Sequence, residues 1–312
     1  MISLGVLKKF LNAFRFKELL RTPDPELRTG MLTRRLFLRY LLGLPFLPLF
    51  PLPVRETWGD SPVLPNKGGK SIGEFFKGEE LHYEIGVWLF KKVALGKLSF
   101  KAMGEKGRYL AILQGETLGV FGWVARYRVD TYRSVMEEVE GGKRLRSISF
   151  EEDVKVGNKL TKRTHFFDYQ KRKWIQVRQN RYGVKIRKEE EIPPGMVYDD
   201  FITASYNFRY GVYGEIDRGR KYTVPTFPKK GPSSYEVKVA SKEEEKKKRK
   251  SEKFKDGKEY FIKLLLDPEV THSKEGLIEG WLSKEIYPIE GTIKDVLLFG
   301  DVKGMLIKKV RS

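Results

Sequence analysis

The sequence has 312 residues, 40% of them hydrophobic and 13% aromatic, enough apolar material to bury a sizeable core in one large or two small domains. Lys and Arg number 61 against 41 Asp and Glu, and the resulting formal charge of +20 favours anionic partners such as nucleic acid, phosphates or an acidic lipid surface. With no Cys and only three His (His82, His165 and His272), thiol catalysis, disulfides, iron–sulfur clusters and Cys-rich or His-rich zinc sites are excluded.

Residues 1–30 form a basic N-terminal extension with Leu7, Phe10, Leu11 and Phe14 at helical spacing. It reads either as a short membrane-surface helix, which would give transient membrane association, or as an upstream extension of a chain that starts at Met31. Residues 31–59 read as a signal segment. Thr33, Arg34, Arg35, Phe37, Leu38 and Arg39, followed by fifteen uncharged residues at 40–54, resemble the twin-arginine export signal. The apolar run is shorter than the roughly 17 residues a membrane span needs, and Pro45, Pro48, Pro51 and Pro53 would break a helix there. Thr57 and Gly59 place small residues three and one before the 59–60 bond, the cleavage point this reading expects. The expected location is therefore periplasmic or envelope-associated. Beyond residue 55 the chain keeps 51 bases against 38 acids, so the body is basic in its own right. Residues 60–77, with Pro62, Pro65, Gly68, Gly69 and Gly73, read as a flexible linker.

From 78 to 312 the pattern is that of a single β-rich domain. Leu81, Tyr83, Ile85 and Val87 alternate with His82, Glu84 and Gly86, and the same period of two runs through Leu98, Phe100 and Ala102 and through Tyr109, Ala111 and Leu113. Further strands are predicted at 164–169, 174–179, 182–187, 235–239, 260–266, 277–282 and 296–306. Gly-containing turns such as 140–142 and 156–158 separate them. The fold class is mainly β: an antiparallel meander forming a curved sheet or incomplete barrel with one or two short helices. One helix is predicted near 200–210, capped by Asp199 or Asp200 and entered through Pro193-Pro194-Gly195. Residues 117–129 fit a helix or a bent strand equally well.

The Lys-rich insertion at 241–258 carries nine Lys or Arg and five acids between two strand patterns. Its mixed signs, with Glu243, Glu244 and Glu245 leading the lysines, read as a solvated hairpin tip without a fixed partner.

No nucleophile elbow, zinc-protease motif, phosphate loop or dinucleotide fingerprint is present. His165 and Asp168, three apart on a strand, point to opposite faces and make no dyad. His82, His165 and His272 read as exposed or rim residues. The aromatics among bases at 171–174 and 178–182 would suit a stacking platform for nucleic acid, but an exported protein rarely meets nucleic acid, so no nucleic-acid partner is expected. No catalytic residue, metal or cofactor is assigned.

The segments GEELHYEI (78–85), YRVDTYRS (127–134), YDDFITASYNFR (198–209), WLSKEIYPI (281–289) and LLFGDVKGML (297–306) occur in an order and spacing that resemble the bacterial domain-of-unknown-function family 3108. The Lys-rich insertion, and Asp200-Phe201 where the family has Asp-Pro-Leu, depart from its pattern. The resemblance implies an exported, β-rich domain and brings no activity and no catalytic residues. The reading that follows is a non-enzymatic periplasmic or envelope protein that binds or carries an apolar or lipid-like ligand or docks an envelope protein. Trp88, Phe100, Trp123, Tyr127, Phe201, Tyr206, Phe208 and Arg209 are the candidate ligand-binding residues, with Phe201 and Phe208 pointing the same way into a concave face. Two alternatives stand beside it: a structural or scaffolding envelope component, and a hydrolase of an envelope polymer using Asp199 and Asp200 or Glu151, Glu152 and Asp153. Oligomeric state is not legible.

Overall fold

The computed structural model describes residues 68–312 apart from 89, 180–182, 184, 228–233, 252–256, 267, 272, 297–298 and 312. The N-terminal extension (1–30), the signal segment (31–59) with Thr33, Arg34, Arg35, Phe37, Leu38 and Arg39, and His272 lie outside the described residues.

Fourteen strands among the described residues form one antiparallel sheet: β1 (Glu79–Val87), β2 (Phe90–Ala102), β3 (Arg108–Thr117), β4 (Val129–Val139), β5 (Arg144–Val156), β6 (Lys159–Asp168), β7 (Lys173–Gln179), β8 (Lys185–Glu191), β9 (Lys221–Pro225), β10 (Ser234–Val239), β11 (Tyr260–Leu265), β12 (Leu277–Leu282), β13 (Pro288–Val296) and β14 (Gly300–Arg311). Strands β1 to β8 pair in sequence order, and so do β9 to β14. The two meanders are joined where β1 pairs with β14, from Glu79 opposite Arg311 to Val87 opposite Val302. Strands β8 and β9 are left as the edges, so the sheet is not closed. The mainly β meander expected from the period of two is therefore the observed fold. The run expected as a single strand at 296–306 is instead a hairpin, in which Val296 of β13 pairs with Gly300 of β14.

Between the two edges the chain runs through helix α3 (Phe201–Tyr210), numbered after α1 (Ile72–Phe76) and α2 (Gly119–Val124). Eight of its ten residues are buried. Ile202, Tyr206 and Tyr210 join a core with Phe76, Phe100, Tyr109, Phe150 and Trp174, whereas Ala204 and Phe208 join a second one with Tyr222, Val237, Val239 and Tyr260. A helix that is apolar on both flanks must be covered on both, and the sheet supplies the cover. Asp200 caps it by accepting from the amides of Ile202 and Thr203. Gly211 ends it at φ 83°, a left-handed turn that Gly adopts without steric cost, with Val212 N–H returning to the Asn207 carbonyl.

Two expectations about linkers and insertions are corrected. The linker drawn to residue 77 contains α1, whose Ile72 and Phe76 are buried four residues apart on one face. Ser71 caps it, and Gly73 lies so close to the Tyr109 ring that a Cβ there would sit 2.0 Å from Tyr109 Cζ. The Lys-rich insertion contains helix α4 (Lys242–Ser251) rather than a solvated hairpin tip. Ser241 and Glu244 form a reciprocal capping box, Glu244 N–H to Ser241 Oγ at 3.2 Å and Ser241 N–H to Glu244 Oε2 at 3.0 Å. Acids fill the first turn of α4 and bases the last, the arrangement a helix dipole favours. The open stretch at 117–129 resolves into α2 followed by a turn into β4.

Candidate functional site

The N-terminus of α3 meets a buried polar centre. Asp200 Oδ2 accepts from Ser134 Oγ at 2.6 Å, Ser147 Oγ at 2.8 Å and Thr203 Oγ1 at 2.7 Å, while Oδ1 holds the two capping amides. Ser134 comes from β4, opposite Phe150, and Ser147 from β5, opposite Met136, on either side of a register shift in that pairing, and both are fully buried. Beside it, Asp199 Oδ2 takes Arg144 Nη2 at 2.9 Å, Asn207 Nδ2 at 3.0 Å and the Tyr213 hydroxyl. Burial raises the Asp199 carboxyl to a pKa of about 6, against the pull of Arg144. Both acids are fully buried. Glu151 and Asp153 lie in an outward cross-strand ladder with Arg133 and Lys162, and Glu152 pairs with Arg163. These carboxylates tie helix to sheet and strand to strand.

The eight candidate ligand-binding residues separate into three places. Phe100, Tyr206, Phe208 and Arg209 are buried in the core. Phe201 packs edge-on to Tyr132 and Phe150, both at 5.3 Å, while Phe208 meets the Tyr222 ring on the other side of the helix. The expectation that Phe201 and Phe208 face one concave surface is thus corrected: the sheet wraps α3, and the two rings are held by different cores. Arg209 is engaged by the protein itself, bidentate on Glu79 and donating from Nε to the Ile286 carbonyl at 2.7 Å. Trp88, Trp123 and Tyr127 are exposed at one end of the sheet. His165 is another correction, since it is fully buried and not at a rim. Its Nδ1 accepts from Trp174 Nε1 at 3.1 Å, and the two rings stack. Trp174, a member of the suggested stacking platform, is buried with it.

A concavity lies on the other face of the sheet. Successive residues on β11 and β12 alternate sides: Tyr260 and Leu282 join the core around α3, and Phe261 and Trp281 face α4. Helix α4 covers them with aliphatic stems and cations, Arg249 lying 4.8 Å above the Trp281 ring and Lys248 5.2 Å above Phe261. Glu245 anchors the helix, bonding Arg218 Nε at 3.0 Å and the Phe261 amide at 3.3 Å. Next to this cover a groove of about 740 Å³ runs along β12, β13, β14 and β1 to the β1–β2 turn, with Trp281, Phe261, Met305, Ile307, Phe90 and Trp88 as its apolar lining. Its walls carry paired charges: Glu290 holds the buried Lys258 at 2.9 Å and Lys303 at 2.6 Å, Lys248 meets Glu279 at 2.8 Å, and Lys294 meets Asp301. The volume falls within the range of small-molecule sites. Of the eight residues proposed from sequence, Trp88 alone lines it. The others were missed because the groove is assembled from strands far apart in the chain, and its one local signal was Trp281 next to Leu282 in a strand pattern.

Fold and site together define a mainly β protein in which a long unclosed meander wraps a single plug helix and bears a groove on its outer face. The family model for "Protein of unknown function (DUF3108)" matches residues 81–307, and the chain belongs to that family. The crystal structure of a beta-barrel-like protein of domain of unknown function DUF1849 from Brucella abortus is similar over 76% of this chain and 98% of its own, at 12% identity and a TM-score of 0.39. No curated protein matches. Among the described residues no helix is long and apolar enough to cross a membrane.

Proposed function

We propose that the protein is an exported, non-enzymatic binding protein of the cell envelope whose outer groove holds an amphipathic, lipid-like ligand. The groove carries this reading: it joins an aromatic and aliphatic lining to a margin of fixed ion pairs, which suits a molecule with an apolar body and a polar end. Phe100, Tyr206 and Phe208, the sequence-proposed lining around α3, are buried against other side chains of the protein, which favours the outer face as the ligand site. The twin-arginine-like segment with Arg34 and Arg35 supports export.

Native mass spectrometry of the full chain purified without detergent tests the ligand reading, alongside Thr292→Trp, which fills the groove from β13. Lipid retained by the wild type and lost from a variant of unchanged melting temperature supports it. Equal retention in both, or none in either, overturns it. For export, Arg34→Lys with Arg35→Lys is expected to hold the protein in the cytoplasm, and unchanged secretion of that variant would remove the twin-arginine route.

A further inference from the structure

One end of the sheet carries exposed aromatic side chains on two connections, and a third connection touches them. The β1–β2 turn presents Trp88, 79% exposed, and α2 with the turn after it presents Val120, Trp123 and Tyr127, of which Trp123 and Tyr127 are 62% and 60% exposed. Phe90 packs edge-on to Phe121 at 4.8 Å, which ties the hairpin to α2, and the Gly157 amide at the β5–β6 tip donates to the Arg126 carbonyl at 2.7 Å. The backbone that presents these rings is unusual. Trp88, Arg126 and Tyr127 all adopt left-handed conformations, with φ of 53°, 58° and 50°, uncommon for non-glycine residues and costly for bulky ones.

Charge on the same rim is one-sided. Exposed Lys91 and Lys92 follow the Trp88 turn, exposed Arg126 lies between Trp123 and Tyr127, and exposed Lys155 and Lys159 flank the β5–β6 tip. Glu116 and Asp295 are its exposed acids, while Asp130 and Asp301 are held by Arg128 and Lys294. Trp123 projects from α2, Tyr127 from the turn after it, and Trp88 from the β1–β2 turn at the end of the groove. Trp and Tyr in such positions, with Lys and Arg around them, match the headgroup layer of a membrane, where amphipathic rings sit at the interface and cations meet anionic lipid.

We propose that this rim docks the protein on an anionic bilayer surface, with Trp88, Trp123 and Tyr127 entering the headgroup layer and Lys91, Lys92 and Arg126 contacting lipid phosphates. The rim stands independently of what fills the groove, although Trp88 belongs to both and would place the groove's end at the bilayer.

The test uses the full chain in a Trp58→Phe background, which leaves Trp88 and Trp123 with the buried Trp174 and Trp281. Vesicles of phosphatidylcholine, with or without phosphatidylglycerol, carry brominated acyl chains that quench only tryptophans within reach. Quenching with the phosphatidylglycerol vesicles that fades at high salt is the expected result. Each cation near an anionic surface is worth roughly five-fold in partitioning, so Lys91→Glu, Lys92→Glu and Arg126→Glu combined should weaken the lipid concentration dependence by more than ten-fold at an unchanged melting temperature. Trp88→Ser, Trp123→Ser and Tyr127→Ser combined should lower co-sedimentation. Co-sedimentation without quenching would place the contact in another segment, and quenching of equal strength on pure phosphatidylcholine would remove the role of charge. Either result overturns the proposal, as does no binding at all.

Discussion

Arg209 and Glu79, 130 residues apart in sequence, form a buried bidentate pair at 2.7 and 2.6 Å that fastens the plug helix to the strand at the centre of the sheet. The third guanidinium contact, to the Ile286 carbonyl, extends the link to the turn between β12 and β13. The guanidinium also stands over the Phe76 and Tyr206 rings, 4.7 and 5.2 Å from their centroids, so α1, α3 and both meanders meet at one side chain.

Breaking that pair from one side should be severe. Arg209→Met strands a buried carboxylate and is expected to cost about 3–5 kcal/mol, read as a fall in urea midpoint at unchanged slope. The double change Arg209→Met with Glu79→Leu should recover much of the loss, because it removes both charges together. A single variant as stable as the wild type would show that water reaches the pair.

The Asp200 cap should exceed an ordinary one. Asp200→Ala removes two amide partners and orphans the Ser134, Ser147 and Thr203 hydroxyls, so the loss should pass the roughly 2 kcal/mol upper value for a cap. Ser134→Ala should cost about 1 kcal/mol, and the combined losses of Asp200→Ala and Ser134→Ala should be less than additive, since they share one network. Chemical denaturation of the two single variants and the double variant measures both.

Asp199 should leave a pH signature. Its carboxyl is raised from 3.8 to about 6 in the fold by burial, so the folded state holds that proton more tightly than the unfolded chain does. The contribution is fully present below about pH 4 and is lost as pH rises through about 6, a change on the order of 3 kcal/mol. The melting temperature of the wild type relative to Asp199→Asn should therefore fall between pH 4.5 and pH 7.5. A relative gain across that interval would mean that the Arg144 pairing outweighs burial.

Helix α4 should be integral to stability despite its lysines. Deleting 241–258 uncovers Phe261 and Trp281 and strips Lys258 from Glu290, so a marked drop in melting temperature is expected, with increased binding of a hydrophobic dye. Glu245→Ala, which leaves the Phe261 amide without its partner, should cost about 1–3 kcal/mol. A deletion as stable as the parent would return the segment to the status of a solvated loop.

What could be read from sequence was local. The strand period, the Asp200 cap and the extent of α3 follow from spacing over a few residues. The α4 helix was legible too, because Ser241 and Glu244 stand at capping-box spacing and the acids precede the bases, but the density of lysines drew attention to charge instead of order. Ser71 and Glu74 carried the same spacing at α1 within a stretch dominated by Gly and Pro. The partners of Arg209, the burial of His165 against Trp174, and the separation of Phe201 from Phe208 depend on strands brought together over long distances. Aromatic content cannot tell a packed ring from a lining one: Phe100 and Trp88 look alike in sequence, and one is fully buried while the other is almost fully exposed.

The pairing of β1 with β14 has a consequence for biosynthesis. Each meander grows by neighbouring hairpins and can form as it is made, but the join between them waits for residues 300–311, more than 200 positions after β1 has been synthesised. Until then β1 offers an open edge on one meander and β13 on the other, the exposed kind of edge that pairs with foreign strands. A chaperone that shields β1 during synthesis, or a nick that removes the last dozen residues, would therefore act on the same seam, the first by keeping it clean and the second by leaving two half-sheets unpaired along it.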